Sequence, residues 1–313
     1  MFEKILHLIE KYDRIIIYRH KNPDGDAIGS QVGLKHLILD NLPGKEVYCV
    51  GDAPRRYAFM EDSAPDTVPD ELFVGALAII LDLSAPELVT DDRYRLAAAT
   101  ARMDHHIFIA PIADEEVIDT TYESCCGLIT ELAIEAGWRL SPIAARSLYT
   151  GTVTDSGRFR YDSVTADTHR RVAHLMQAGI DTGAVFSELY ADNLASLQLR
   201  ASFTLKIQTF AAHIAYIYTT LEEFRATGES AFTISRGMVG TMSDIRGIDI
   251  WVNFTETEDG VLCELRSSRY NINPIAVKYG GGGHAKASGA TLASCEQAMA
   301  MLADLQALTE KGE

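Results

Sequence analysis

Residues 14–30 read RIIIYRHKNPDGDAIGS. Arg14–Tyr18 has the length and β-branched content of a buried strand. His20, Asp24 and Asp26 follow at once, on a segment kinked by Pro23, Gly25 and Gly29. From Asp26 to Leu39 the spacing is helical. A strand that turns tightly into a helix is the building block of a parallel sheet wrapped by helices. The pattern recurs downstream. Glu46–Val50, Ala76–Leu81 and Ala99–Met103 read as strands, and Gly127–Ala136, Pro142–Thr150 and Ala166–Ala178 as helices. The expected fold class is therefore α/β, with a parallel-sheet N-terminal domain and flanking helices.

Metal-ligand-type side chains recur where these runs end. Asp82 follows a strand in IILDLS, Asp104-His105-His106 follows the next in MDHHIF, and Asp155 follows a helical segment in TGTVTDSGRF. Open α/β sheets bind ligands beyond the carboxyl ends of their strands, so the first three clusters are expected in one crevice. Asp24 and Asp26, two apart, can point at different cations while His20 reaches back to one; Asp26 would equally serve as a helix cap. Asp82 suits a bridge between two cations or an ordinary turn. In the His-His pair one imidazole can ligate, with Asp104 orienting an imidazole from behind, and His106 is then free to face a phosphate. Arg158 and Arg160 follow Asp155 and are available to phosphate oxygens. The carboxylates of Asp24, Asp26, Asp82 and Asp155 would repel or take up protons without cations, and two divalent ions would neutralise them. Hard ions such as Mn²⁺ favour oxygen ligands with some imidazole, and a pair of them makes a phosphoryl-transfer site. His7, His36, His169, His174 and His213 lie in regular patterns and read as structural.

The bulk figures narrow the partners. At 313 residues the chain suits two domains, and its net charge of −16 would repel a long polyanion. Small phosphorylated substrates fit better, with positive charge supplied locally. The N-terminal MFEKILHLIE lacks a signal-like apolar core, and no apolar stretch is long enough to span a bilayer. The five cysteines show no CxxC spacing, and Cys125–Cys126 reads as buried packing. A reducing cytoplasm is the expected location.

The stretch from Gly183 to Gln208 reads as a helical connector, giving expected divisions of 1–185, 186–208 and 209–313. The last is a smaller α/β domain, with Ala212–Tyr218, Ile248–Thr255, Val261–Arg266, Asn273–Tyr279 and Cys295–Leu308 alternating. From Leu265 to Cys295 there is no acidic residue, yet Arg266, Arg269, Lys278, His284 and Lys286 are present. Gly280–Gly283 let backbone N–H groups approach an anion closely, or form a flexible loop.

HKNPDGDAIGS, LDLS, MDHH and TGTVTDSGRFRY, in this order, resemble the four motifs of the DHH phosphoesterases over roughly the first 185 residues. Arg266-Ser267-Ser268 and Gly280–His284 resemble hallmarks of the associated C-terminal domain. The resemblance implies ligation of two divalent ions, expected to be Mn²⁺, by His20, Asp24, Asp26, Asp82, His105 and Asp155. It implies an orienting role for Asp104 and a catalytic role for His106, with Asp82 shared between the ions. Arg266, Ser268, Gly282, Gly283 and His284 would hold a nucleotide. The whole pattern is most similar to the oligoribonuclease and pAp-phosphatase branch. The implied activity is that of an exonuclease: hydrolysis of short oligoribonucleotides to mononucleotides by metal-activated water. Removal of the 3′-phosphate of pAp would use the same site, with closure between the domains. Alternatives are a cyclic-di-AMP or pApA phosphodiesterase using the same site, a pyrophosphatase or polyphosphatase, and a nucleotide sensor without catalysis. Family analogy allows a homodimer.

Overall fold

A strand buried on both faces must be apolar at every position, and β3 (Leu77–Leu81, LAIIL) is buried throughout. The computed structural model describes residues 1–311 and divides the chain into two units, Met1–Ala191 and the part from Asp192 onward. In the first unit β1 (Arg14–Tyr18), β2 (Glu46–Val50), β3, β4 (Ala99–Asp104) and β5 (Glu115–Ile118) form a wholly parallel sheet in the order β2-β1-β3-β4-β5. Ile15 and Ile17 of β1 pack on one side, against α1 (Glu3–Lys11), α2 (Gly25–Asn41), α3 (Cys125–Glu135) and α4 (Pro142–Asp155). Ile16 and Tyr18 pack on the other, against irregular chain carrying Val68, Phe73, Val89 and Tyr94. Helices α5 (Ala166–Met176) and α6 (Thr182–Tyr190) complete the unit. Strand order reverses between β1 and β3, so their carboxyl ends flank a crevice.

Helices α2 and α4 meet along a glycine seam. Gly25, Gly29 and Gly33 recur every fourth residue on α2. A Cβ at Gly29 would lie 2.5 Å from the Ser147 carbonyl oxygen, and one at Gly33 2.6 Å from Leu148 Cδ2. On α4, Gly151 abuts Cys126 Sγ. Helix α4 continues through Gly151 to Asp155, whereas the sequence reading ends it at Thr150. Glycine here answers close helix contact, not a helix stop.

The second unit contains α7 (Leu194–Leu205), α8 (Leu221–Thr227), α9 (Ala231–Met238), α10 (Asn273–Lys278) and α11 (Cys295–Lys311). Its six strands are β6 (Gln208–Phe210), β7 (Ile214–Thr219), β8 (Ile250–Thr257), β9 (Gly260–Ser267), β10 (Gly282–His284) and β11 (Ala287–Leu292). The sheet order is β10-β11-β9-β8-β7-β6, with only β7–β8 parallel. Val261, Cys263 and Leu265 of β9 pack with Met301 and Leu302 of α11 in one apolar core. On the opposite face α9 packs near Ala215, Ile217 and Trp251 of β7 and β8. The helical stretch expected at Gly183–Gln208 is two helices, broken where Asn193 accepts the Ser196 N–H and caps α7. The glycine run is partly an edge strand, β10, and not a loop throughout. Among the described residues no helix is long and apolar enough to cross a membrane.

Candidate metal centre

The tight turn after β1 gives its two aspartates different tasks. Asp24 caps α2, its Oδ1 accepting the N–H groups of Asp26 and Ala27, both at 3.0 Å. The cap that the sequence also allowed for Asp26 is thus filled by Asp24. Asp26 is buried, its carboxylate accepting the Cys125 N–H at 2.7 Å and the Cys126 N–H at 2.9 Å. These N–H groups open α3, where the helix dipole favours an anion. The two cysteines are buried as expected, but their backbone also anchors a carboxylate.

Both candidate imidazole ligands are oriented alike. His20 donates through Nδ1 to the Lys21 carbonyl at 2.8 Å, and His105 through Nδ1 to the Tyr122 carbonyl at 3.3 Å. Each Nε2 is thereby aimed at carboxylates. That of His20 lies 3.7 Å from Asp24 Oδ1 and 3.6 Å from Asp82 Oδ2. That of His105 lies 3.3 Å from Asp155 Oδ2, 3.5 Å from Asp82 Oδ1 and 3.8 Å from Asp26 Oδ2. Three groups have ligand atoms within 4.8 Å of one another: His20–Asp24–Asp82, Asp26–His105–Asp155 and Asp82–His105–His106; the first two are triads without a shared member. Asp82 stands between them, one oxygen toward each imidazole. It follows β3 in a left-handed conformation (φ 58°), and its buried Oδ1 has no hydrogen-bond partner. A strained backbone holding an unpartnered buried carboxylate is costly unless something binds there.

Asp104, the last residue of β4, accepts from His106 Nδ1 at 2.7 Å and from Arg102 Nη2 at 2.7 Å. His106 is half exposed and lines a cleft of about 250 Å³ with His20, Asp24, Asp82 and Asp155. Arg158 and Arg160 are exposed and outside that lining among the described residues; Arg158 lies over the Tyr190 ring at 4.7 Å.

In the second unit Arg266, Gly282, Gly283 and His284 line a separate groove of about 290 Å³. Ser268 is not part of that lining among the described residues; its N–H donates to the Asp249 carbonyl at 3.0 Å. The acid-free window is less positive in space than in sequence. Arg266 pairs with Glu264 at 3.0 Å and Lys278 with Asp304 at 2.6 Å. At Gly283 (φ 132°) a Cβ would meet the Ala287 carbonyl oxygen at 2.6 Å, and Gly281 abuts the Gly289 carbonyl. These glycines are required for packing on β11, whatever the groove binds.

The DHH family, N-terminal domain, matches residues 14–152, and the DHHA1 domain matches 213–311. Over the full length of both chains the sequence is 34% identical to the bifunctional oligoribonuclease and PAP phosphatase NrnA of Bacillus subtilis (strain 168). The chain belongs to the DHH family of phosphoesterases. Over 92% of this chain and 93% of the relative, it is 35% identical to the probable bifunctional oligoribonuclease and PAP phosphatase NrnA of Streptococcus mutans serotype c. Among solved structures, an exopolyphosphatase-related protein from Bacteroides fragilis aligns with a TM-score of 0.82 and 25% identity, covering 99% of this chain and 95% of that one.

For a DHH phosphoesterase, which depends on metal, the electrostatics of the cluster fit cations. Burial raises Asp82 well above the usual carboxylate range, and Asp26 and Asp24 push the same way. Burial likewise raises Asp26, and it lifts Asp155 to about 7 with Asp26 adding repulsion. His20 would be lowered by burial, but its contacts with Asp24 and Asp82 outweigh this and lift it to about 9. Protons therefore occupy the positions where divalent ions would bring positive charge.

Sequence reasoning missed Arg102. Fully buried on β4, it pins Asp104 and also donates to the Ala110 carbonyl at 3.2 Å. Burial alone would raise Asp104, but its hydrogen bonds from His106 and Arg102 hold it at about 2. The only sequence signal was a charged residue inside an otherwise apolar strand. Arg56 and Tyr57 were missed as well: the guanidinium lies 4.8 Å over the Tyr57 ring, and Tyr57 packs on Ile28 of α2.

Proposed function

We propose that this DHH phosphoesterase hydrolyses short oligoribonucleotides to mononucleotides and removes the 3′-phosphate of pAp. One observation carries the chemistry: six ligand-type side chains from four separated segments form two triads joined by Asp82. His20, Asp24 and Asp82 would hold one divalent ion, and Asp26, His105 and Asp155 the other, with Asp82 common to both. The names of full-length relatives carry the substrate class. Mn²⁺ suits a set of carboxylates with two imidazoles. When bound, the ions supply Lewis acidity and an activated water for attack on phosphorus.

The chain's own residues do the rest. Asp104 and Arg102 fix His106 by its Nδ1, leaving Nε2 to meet a phosphoryl or leaving oxygen in the cleft. The α3 N–H groups hold Asp26 in place, and the carbonyls of Lys21 and Tyr122 fix the two ligand imidazoles. Arg158 and Arg160 remain our candidates for phosphate contacts, and Arg266, Gly282, Gly283 and His284 for holding a nucleotide, with Ser268 on their flank. We assign catalysis to residues 1–185 and substrate holding to 209–313, with 186–208 joining them. A cytoplasmic homodimer completes the proposal, and the five free cysteines support that compartment.

The test is product analysis with a ribodinucleotide, pAp, pApA, cyclic-di-AMP and pyrophosphate, each with and without Mn²⁺. Mn²⁺-dependent release of mononucleotide and of phosphate from pAp is expected. Turnover of cyclic-di-AMP or pyrophosphate in place of these would overturn the assignment. Tight pAp binding with no product would make the protein a sensor.

A further inference from the structure

A cavity of about 470 Å³ in the second unit is neither the cleft at the carboxylates nor the glycine–histidine groove. It adjoins that groove, and the two share Arg236, Glu264 and Gly289 as walls. Their far ends differ in chemistry. One is apolar, formed by Phe232, Leu262 and Ala290; the other presents Arg266, His284 and the Gly282 backbone. Phe232 and Arg236 lie one turn apart on α9, so both project from one side of the helix. The Arg236 guanidinium lies 5.7 Å from the centre of the Phe232 ring, and among the described residues it makes no ion pair. Phe232 is 68% exposed, so its ring is not committed to the core. A recess with an aromatic wall, continuous with a groove that holds Arg236, an Arg266–Glu264 pair, His284 and glycine backbone, matches the two ends of a nucleotide.

We propose that the Phe232 recess receives the nucleobase of the nucleotide whose phosphate occupies the adjoining groove, with Arg236 contacting both parts. This rests on the nucleotide reading above. Stacking on an aromatic face and a guanidinium plane tolerates any base, because every base presents a π-face. Ser235, Arg236, Glu264 and Thr291 are the polar side chains of the lining, and where stacking on Phe232 and Arg236 is the main contact the recess accepts bases with little preference among them. That suits an enzyme acting on short oligonucleotides of mixed sequence.

The experiment compares pAp with its base-less analogue, 1-deoxyribose 3,5-bisphosphate. In each variant it measures the pAp-to-analogue ratio of kcat/KM values with Mn²⁺ and, independently, the same ratio of association constants (1/Kd) by calorimetry without metal. Phe232→Ala should cut both ratios five- to twentyfold, and Phe232→Tyr should restore them. Arg236→Ala should weaken both ligands together. Since Phe232 is exposed, its truncation leaves the fold intact, and a melting curve checks this. Ratios unchanged in Phe232→Ala overturn the recess as a base site. A wild-type protein that binds pAp but releases no product would sink the hydrolase reading alone, because the Kd ratios still decide the recess. A wild type that does not distinguish the two ligands refutes the recess directly.

Discussion

The carboxylate cluster of the first unit and the glycine-lined groove of the second handle charge in opposite ways. In the cluster, Asp26 and Asp82 are buried, held by backbone N–H groups or by a strained turn, and left uncompensated. In the groove, Arg266 is paired with Glu264 two residues away, and beyond its lining Lys278 is paired with Asp304 on α11. The first arrangement stores unfavourable electrostatics that protons relieve in part and that divalent cations would relieve further. The second stores little, and its shape depends on glycine backbones packed against β11. On the proposed reading, chemistry would sit where the fold tolerates strain, and recognition on a surface that costs the fold almost nothing.

The contrast can be broken most directly at Asp82. Asp82→Asn should lower Mn²⁺-dependent turnover on the order of 10⁴-fold, since both triads lose a shared ligand. The same variant, stripped of metal, should be more stable than metal-free wild type by about 1–3 kcal/mol, because an unpartnered buried carboxylate is gone. A variant that keeps a tenth of its activity, or melts lower without metal, contradicts the shared-ligand geometry.

Arg102 sharpens the comparison, since it is a buried cation serving a carboxylate behind the cluster. Arg102→Ala should lower kcat about 10–100-fold with little change in KM, and Arg102→Lys should recover part of it. Equal losses in kcat and in thermal stability for both variants would reduce Arg102 to a structural role.

Acidity offers a third test. Asp155 titrates near 7 in the fold, above its ordinary value of 3.8, so between these values the folded protein binds more protons than the unfolded chain. Stability of the metal-free protein should therefore fall as pH rises from about 4 through 7, and Mn²⁺ should restore it at pH 8. Calorimetric melting with chelator at pH 5.5 and 8 reads the sign, and a higher melting point at pH 8 would contradict it. Proton release on Mn²⁺ binding should accompany the effect.

The smallest change is expected at the groove's flank. Ser268 donates to the Asp249 carbonyl and stands outside the groove lining. Ser268→Ala should alter KM for pAp by less than about threefold. A tenfold loss would extend the groove to the end of β9.

Much of this was legible because period and punctuation coincide. Arg14–Tyr18 and Glu46–Val50 are strands with the expected bounds, and the motif residues stand at the sheet's carboxyl edge. Less legible was anything depending on partners distant in sequence. The capping of α2 by Asp24, the anchoring of Asp26 by α3 and the pairing of Arg102 with Asp104 involve contacts that no local pattern encodes. Glycine is ambiguous at Gly151 and in the Gly280–Gly283 run, because a missing side chain signals flexibility and tight contact alike. Cationic windows misled for a related reason: Glu264 and Asp304 lie outside the window yet beside its charges.

The seam between α2 and α4 sets the spread of one triad, Asp26–His105–Asp155. Asp24 and Asp26 open one helix and Asp155 closes the other, so their separation is fixed by two main chains in contact. A methyl group added at Gly29 would wedge the helices apart and move Asp155 away from Asp26 within one triad. The spacing of those two main chains is a property of helix packing, which rotamer changes around the cleft leave untouched.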